Sequence, residues 1–372
     1  MSDGLGPETT ADDQRAELAA AFDQELDPLA EYEVTFRQTD ADAFGLFTTE
    51  VLASRNITQR THDGYDRVFR QWRAFMAKQD RHPACPNEEH VKAFAHHELD
   101  TKDNHPDTVK EKLRKLNDLY RYWQDDPSFP HPQDYNPIAL ARAKITFADA
   151  ERKEPPQIPI PEIRDVLESV TVLRDWAIIV LQLKLGLRAT EVCNLQLADI
   201  ALDHSDLTEH YPELGSNPYL ADHENTIFIP HDRDGNKSPR PRLLPLDADL
   251  RSVLRRYLLI RPDTGGPHVF LSQSRHEPLQ KEDVNTVWKD AFHPAYAETE
   301  HHRAVTSHYG RHYFTTYWRV QQDLNRELIR YMRGDAAGAV SIQERGGIDE
   351  YIHTYYEDIA EIYRERMFTV TV

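Results

Sequence analysis

The chain has 372 residues, 39% of them hydrophobic and 29% charged, enough for two domains of ordinary size plus a tail. No apolar run approaches the length of a membrane span, and the acidic start, Met1 to Asp27, lacks the pattern of a secretory signal, which points to the cytoplasm. The net charge of −19, from 63 acidic and 44 basic residues, excludes a uniformly basic surface; two cysteines, Cys85 and Cys193, exclude a disulfide framework or a cysteine zinc site.

Residues 1–45 are rich in Asp, Glu and Ala, show little periodicity, and read as an acidic mobile tail with a short helix near Gln14 to Phe22. From Thr58 to Lys78 the pattern changes: Tyr65, Val68, Phe69, Trp72, Phe75 and Met76 recur at helical spacing. A second helix is predicted from the N-cap Asn87 to Leu99, and a third from Pro106-Asp107 to Trp123. A fourth, short one follows Asn136-Pro137. Residues 46–150 therefore read as an all-helical, locally basic domain. Its cations Arg67, Arg70, Lys110, Arg114 and Lys115 suit a DNA-facing surface, and the same spacing also suits a solvated helix face. Prolines 155, 156 and 159 make residues 151–160 an extended linker.

The remaining stretch, 161–372, opens with a helix near Pro161 to Val170. A strongly apolar helix from Arg174 to Leu185 follows, ended by Gly186, and another begins at Thr190. Asn225 to Pro230 and Arg242 to Leu246 read as strands of a hairpin, with His268 to Ser272 as a third short strand. Helices are expected from there to Tyr363.

Four segments carry chemistry. Leu185-Gly-Leu-Arg188-Ala-Thr-Glu191-Val-Cys-Asn-Leu195 resembles the first signature of the tyrosine recombinase (phage integrase, Xer-type) family. His308-Tyr-Gly-Arg311-His312 resembles its second, and Tyr351-Ile-His353-Thr-Tyr-Tyr-Glu357 resembles its nucleophile segment. Gly235-Asn-Lys237 followed by Arg242-Leu-Leu-Pro-Leu246 resembles its β-hairpin with a cation at the tip. The resemblance covers roughly residues 45–365. It implies a mainly α fold with a small antiparallel β-sheet: a helical core-binding domain followed by a mixed α/β catalytic domain.

For the residues, the resemblance implies Arg188 and Arg311 on the scissile phosphate, with Glu191 as a supporting acid. It further implies His308 as proton acceptor, Lys237 as the hairpin cation with Arg233 competing, and Tyr351 as nucleophile ahead of Tyr355 and Tyr356. One departure stands out: Asp335 occupies the place where the family has a histidine or tryptophan. An ionised carboxylate cannot donate to a phosphate; it can orient Arg188, Arg311 or His308 instead, while His353 or His312 takes the donor role. Gly338, Gly346 and Gly347 in the interval before Tyr351 suggest a flexible tether.

The implied activity is site-specific cleavage and rejoining of DNA through a 3′-phosphotyrosyl bond, with no cofactor and no metal. The implied partners are double-stranded DNA carrying recombination sites and three further copies of the chain, the segment from about Asp358 to Val372 docking on a neighbour. A binding relative that has lost catalysis is the main rival. A topoisomerase with the same tyrosine chemistry and, prompted by the 19 histidines, a metal-dependent nuclease are the others. The acidic excess beside a preference for Arg over Lys, 32 to 12, matches a solubility coat of the kind seen in halophilic proteins.

Overall fold

The computed structural model describes residues 11–55, 57–147, 153–335 and 348–370, without the side chains of 11–13 and 348–354. The chain divides into two compact units, Met1–Glu151 and Arg152–Val372.

The first unit is helical: α1 (Ala11–Ala21), α2 (Glu33–Gln38), α3 (Ala43–Phe47), α4 (Gln59–Lys78), α5 (Glu88–His96), α6 (Pro106–Asp125) and α7 (Pro137–Lys144). The apolar stripe read from sequence is the buried face of α4, where Tyr65, Val68, Phe69, Trp72, Phe75 and Met76 meet Leu113, Leu116, Tyr120 and Trp123 of α6. Asn87 caps α5 by accepting from the His90 N–H at 3.1 Å, and Asn136 caps α7 from Ala139 at 2.9 Å. The expectation of a mobile tail to residue 45 needs correction. Leu29, Phe44 and Phe47 lie in the core, and the Trp123 indole donates to the Ala43 carbonyl at 3.1 Å. Apolar residues are too sparse along this acidic stretch to reveal a period, and only some of them, Leu29, Ala43 and Phe44 among them, find a place in the core with α4 and α6, while Leu18, Phe22 and Val34 stay exposed.

The second unit is built on α9 (Leu173–Leu185), whose residues from Ala177 onward are all buried. Before it comes α8 (Ile160–Ser169); after it come α10 (Ala189–Cys193) and α11 (Ser205–His210). Then follow α12 (Ala248–Ile260), α13 (Lys281–Tyr296), α14 (Ser307–Thr316), α15 (Arg326–Arg333) and α16 (Ile348–Arg366). Helices α12 and α14 pack against α9. A helix that is apolar on every side has to be enclosed in this way. Gly186 ends it with φ of +64°, and a Cβ there would stand 2.7 Å from the Phe314 ring.

The sheet is antiparallel, in the order β1 (Ile200–Ala201), β2 (Thr226–Ile229), β3 (Arg242–Pro245), with Ile229 opposite Arg242 and Thr226 opposite Pro245. Residues 268–272, expected as the third strand, are not part of it. His268 makes an isolated bridge to Gln196 and Leu271 one to Pro278, and β1 takes the edge instead. Two residues are too short a run to show period-two alternation, so β1 carries no sequence signal.

The C-terminal segment, expected on a neighbouring copy, lies on its own unit. Met367, Phe368 and Val370 are buried, Arg164 donates to the Thr369 carbonyl at 2.7 Å, and the Val370 N–H donates to Asp249 at 2.7 Å.

Candidate active site

Arg188 and Arg311 come from different elements and meet on one acceptor. Arg188 caps α10 at its junction with α9. Its backbone N–H donates to Glu191 Oε2 at 2.8 Å, which fixes where its side chain leaves the turn. Arg311, only 3% exposed, rises from α14 and donates to the carbonyls of Gly186 and Arg333, both at 2.8 Å. Both guanidinium groups then donate to Oδ1 of Asp335, Arg188 at 3.0 Å and Arg311 at 2.5 Å. Of the three groups named for it from sequence, Arg188, Arg311 and His308, Asp335 contacts the two arginines. A third arginine, Arg333, stands 3.0 Å from the other carboxylate oxygen.

Glu191 supports this cluster from below. It is fully buried at its carboxylate, where Arg242 grips it with two N–H groups at 3.2 and 3.0 Å and Arg188 adds a third at 3.2 Å. Burial alone would raise the Glu191 carboxyl; the charge and hydrogen bonds of Arg242, joined by Arg188, hold it below the usual carboxylate range instead. Arg242 also donates to the Met332 carbonyl at 2.8 Å, so the first residue of β3 ties the sheet to the end of α15. There Gly334, at φ of +61°, leaves room for the Arg242 and Ser238 side chains that a Cβ would strike. Burial pushes the pKa of Arg311 down to about 9, and Arg188 beside it acts in the same direction against Asp335. It remains a cation at neutral pH.

Arg242 and Arg333 were not among the residues singled out from sequence. For Arg242 a signal existed: an arginine inside a four-residue strand that is otherwise apolar needs a buried acid. Arg333 carried none, since arginines near a helix C-terminus are ordinary.

His308 lies one helical turn before Arg311 on the solvent side. Partial desolvation, then the positive charges of Arg311, His312, Arg333 and Arg188, hold its pKa below the ordinary value. The imidazole is therefore neutral at pH 7 and able to accept a proton. His312, also exposed, is lowered by desolvation and by Arg333. Of the two hairpin cations, Arg233 is engaged: it donates to the Asn194 carbonyl at 2.6 Å and grips Asp199 with both of its terminal nitrogens. Lys237 is exposed and has no hydrogen bond or ion pair among the described residues. The hydroxyl of Ser238, its neighbour, donates to the Gly334 carbonyl at 3.0 Å, which brings this loop beside Asp335.

Tyr351 and His353 fall in α16, but their side chains lie outside the described residues, as do Gly338, Gly346 and Gly347 altogether. The other tyrosines of α16 serve packing. Tyr355 stacks on Tyr331 at 5.0 Å, the Tyr356 hydroxyl bonds to that of Thr226 at 2.5 Å, and the buried Tyr363 donates to the Lys184 carbonyl at 2.7 Å.

In the first unit, Arg67 and Arg70 are exposed and form no ion pair among the described residues. Arg114 is clamped by Glu111 and Asp118, each at 2.7 Å, and Lys115 is tucked over the Tyr65 ring at 5.4 Å. Lys110 pairs with Asp107 at 3.5 Å. The cations of α6 are thus largely spent within the fold, because acids three and four residues away share their helix face. Among the described residues no group of three or more His, Cys, Asp or Glu could hold a metal ion, and no helix is long and apolar enough to cross a membrane.

Comparison with known proteins gives the same frame. Residues 159–332 match the model of the phage integrase family. The tyrosine recombinase XerA of Pyrococcus furiosus is 26% identical over 203 residues, 51% of this chain and 59% of the relative, so the chain spans little more than half that protein's length. XerA of Thermococcus onnurineus is 28% identical over 179 residues, 45% of this chain and 53% of the relative. Among solved structures, a lambda integrase dimer bound to a COC′ core site superposes with a TM-score of 0.58 at 16% identity, covering 90% of this chain and 85% of that one. The Tn1549 transposon integrase in complex with transposon right end DNA gives 0.58 at 19% identity, covering 86% and 99%. These likenesses share the fold, and the stretch from α8 to α15 is the part of the chain that matches the phage integrase family.

Proposed function

We propose that the protein is a site-specific DNA recombinase in which Tyr351 attacks a scissile phosphodiester. The observation that carries this reading is the convergence of Arg188 and Arg311 on a single anionic oxygen. Tyrosine is a poor nucleophile at neutral pH because its pKa is about 10. Two guanidinium groups facing one phosphate offset this by stabilising the extra negative charge of the five-coordinate transition state. The Tyr351 oxygen bonds to phosphorus as the bond to the 5′-oxygen breaks, leaving a 3′-phosphotyrosyl link and a free 5′-hydroxyl. Neutral His308 accepts the phenol proton, and Lys237 protonates the departing oxygen. A hydroxyl of a partner strand reverses the step, so the bond energy is retained and no nucleotide or metal is required.

In this reading residues 46–150 clamp double-stranded DNA through Arg67 and Arg70, with Lys110, Arg114 and Lys115 in a smaller role. Residues 161–372 perform the chemistry, and His353 completes the site. Four copies assemble on two recombination sites in the cytoplasm, where the cell's DNA is reached without crossing a membrane. A solved relative of the same fold is a lambda integrase tetramer bound to a Holliday junction, which supports the tetramer. A second reading, a DNA-binding relative without catalysis, is favoured by Asp335, whose carboxylate fills the space between the arginines.

Incubation with radiolabelled nicked duplexes separates the two. A covalent protein–DNA adduct that forms in EDTA, maps to Tyr351 by mass spectrometry and vanishes in Tyr351→Phe is expected. No adduct with any duplex would leave the binding relative, and an adduct on Tyr355 would move the nucleophile.

A further inference from the structure

Asp335 sits where the positive charge of the site converges. Its Oδ1 accepts from Arg188 and Arg311, and its Oδ2 lies 3.0 Å from Arg333 Nε. To a guanidinium, a carboxylate and a phosphodiester look alike: two oxygens that share one negative charge. The seat does not depend on Asp335 for its shape. Arg311 is held independently by the carbonyls of Gly186 and Arg333, and Arg188 by the buried Glu191. Arg333 is not saturated, because its Nε, though close to the carboxylate, is buried without an aligned hydrogen bond. That N–H remains available to an oxygen placed differently from Asp335's.

We propose that Asp335 is the resident anion of a three-arginine phosphate seat: it fills the seat in the free protein and leaves when a DNA phosphodiester arrives, and Arg333 then joins Arg188 and Arg311 as a phosphate ligand. The proposal rests on the reading of this site as a phosphodiester-cleaving centre. Carboxylate and phosphate cannot share the seat, since two anions in contact with no donor between them repel. Departure needs only rotation of the Asp335 side chain. The Arg333 carbonyl, which both arginines use, belongs to the end of α15 and stays in place. Apparent affinity for phosphate is reduced by the fraction of time the seat is open, so a seat open about one-tenth of the time costs about tenfold.

The test is calorimetric titration of the full chain with inorganic phosphate at constant ionic strength. Asp335→Asn and Asp335→Ser are each expected to bind about tenfold more tightly than the unaltered protein. Asp323→Asn, the same charge change outside the seat, is expected to gain less than about twofold. Adding Arg333→Gln to Asp335→Asn is expected to remove most of the gain. Unchanged or weaker binding in folded Asp335 variants overturns the resident anion, and an unaffected Arg333→Gln double variant overturns the third ligand. Crystals of the unaltered protein soaked in phosphate need no variant: phosphate on the three arginines is expected, and Asp335 still bonded to Arg188 and Arg311 overturns the proposal. The adduct assay is scored apart. Tighter phosphate binding without any adduct keeps the seat and removes the recombinase, whereas an adduct with no gain in the Asp335 variants does the reverse.

Discussion

Glu191 shows how one buried carboxylate organises a site. It accepts from Arg188 on the site's floor and from Arg242 in the sheet; Arg188 also reaches Asp335, whereas Glu191 is the one carboxylate that Arg242 pairs with among the described residues. Arg242→Ala leaves Glu191 buried with a single cation. Breaking a buried pair in this way costs about 3–5 kcal/mol, so urea denaturation should show a loss of that size. The pH dependence has a definite sign. Because the folded-state pKa of Glu191 lies below its ordinary 4.5, its contribution is fully present above pH 4.5 and is lost as pH falls through the folded value. Without Arg242 the folded pKa rises, and the acid limb of the stability curve should move to higher pH. An acid limb that stays put while stability drops would show that Arg242 acts through packing and not through this carboxylate.

At the scale of elements, α16 and the strap beyond it close the second unit from the C-terminal side. Lys184, with no exposed surface, pairs with Asp247 at 2.5 Å and Asp249 at 2.8 Å, and Asp249 also receives the Val370 N–H. Replacing Lys184 with Met leaves two carboxylates facing an apolar interior. The expected cost is again about 3–5 kcal/mol, and the strap should loosen enough for trypsin to cut after Arg366. An unchanged denaturation midpoint with Arg366 still protected would refute this. What sequence could show divides along the same line. The stripe of α4, the cap Asn87, the short helix after Asn136-Pro137, the hairpin and the two motif arginines are local patterns, and they were legible. The burial of Leu29 and Phe44, the short strand β1, the docking of the C-terminal strap on its own unit and the pairing of Glu191 with Arg242 are tertiary, since each depends on a residue far away in the chain. A buried charge such as Lys184 announces itself only by violating an apolar period, and its partners Asp247 and Asp249 look from sequence like an ordinary helix start.

At the scale of the whole molecule, the charge of −19 sets two salt effects against each other. Excess carboxylates repel one another, and that self-repulsion destabilises the compact state. The screening length falls from about 10 Å at 0.1 M salt to about 3 Å at 1 M, so added KCl should raise the melting temperature of the protein. Binding to duplex DNA ordinarily moves the other way. A protein that neutralises Z phosphates loses affinity with a slope of about −0.9Z on a logarithmic salt scale. In the first unit, however, Arg114 is already clamped by Glu111 and Asp118 and Lys110 is paired with Asp107, which leaves Arg67 and Arg70 as the open cations among the candidates. Few counterions are then released, and screening of the acidic coat removes a long-range repulsion from DNA that is strongest at low salt. The expected result is a salt slope shallower than that of a basic protein with about 6–10 phosphate contacts, with affinity for a fixed duplex flattening or rising toward the lowest-salt end as KCl is added. Fluorescence anisotropy from 0.05 to 1 M KCl measures it. A steep monotonic fall across that range, alongside a melting temperature indifferent to salt, would mean that the acidic residues face away from the DNA and do not govern either equilibrium.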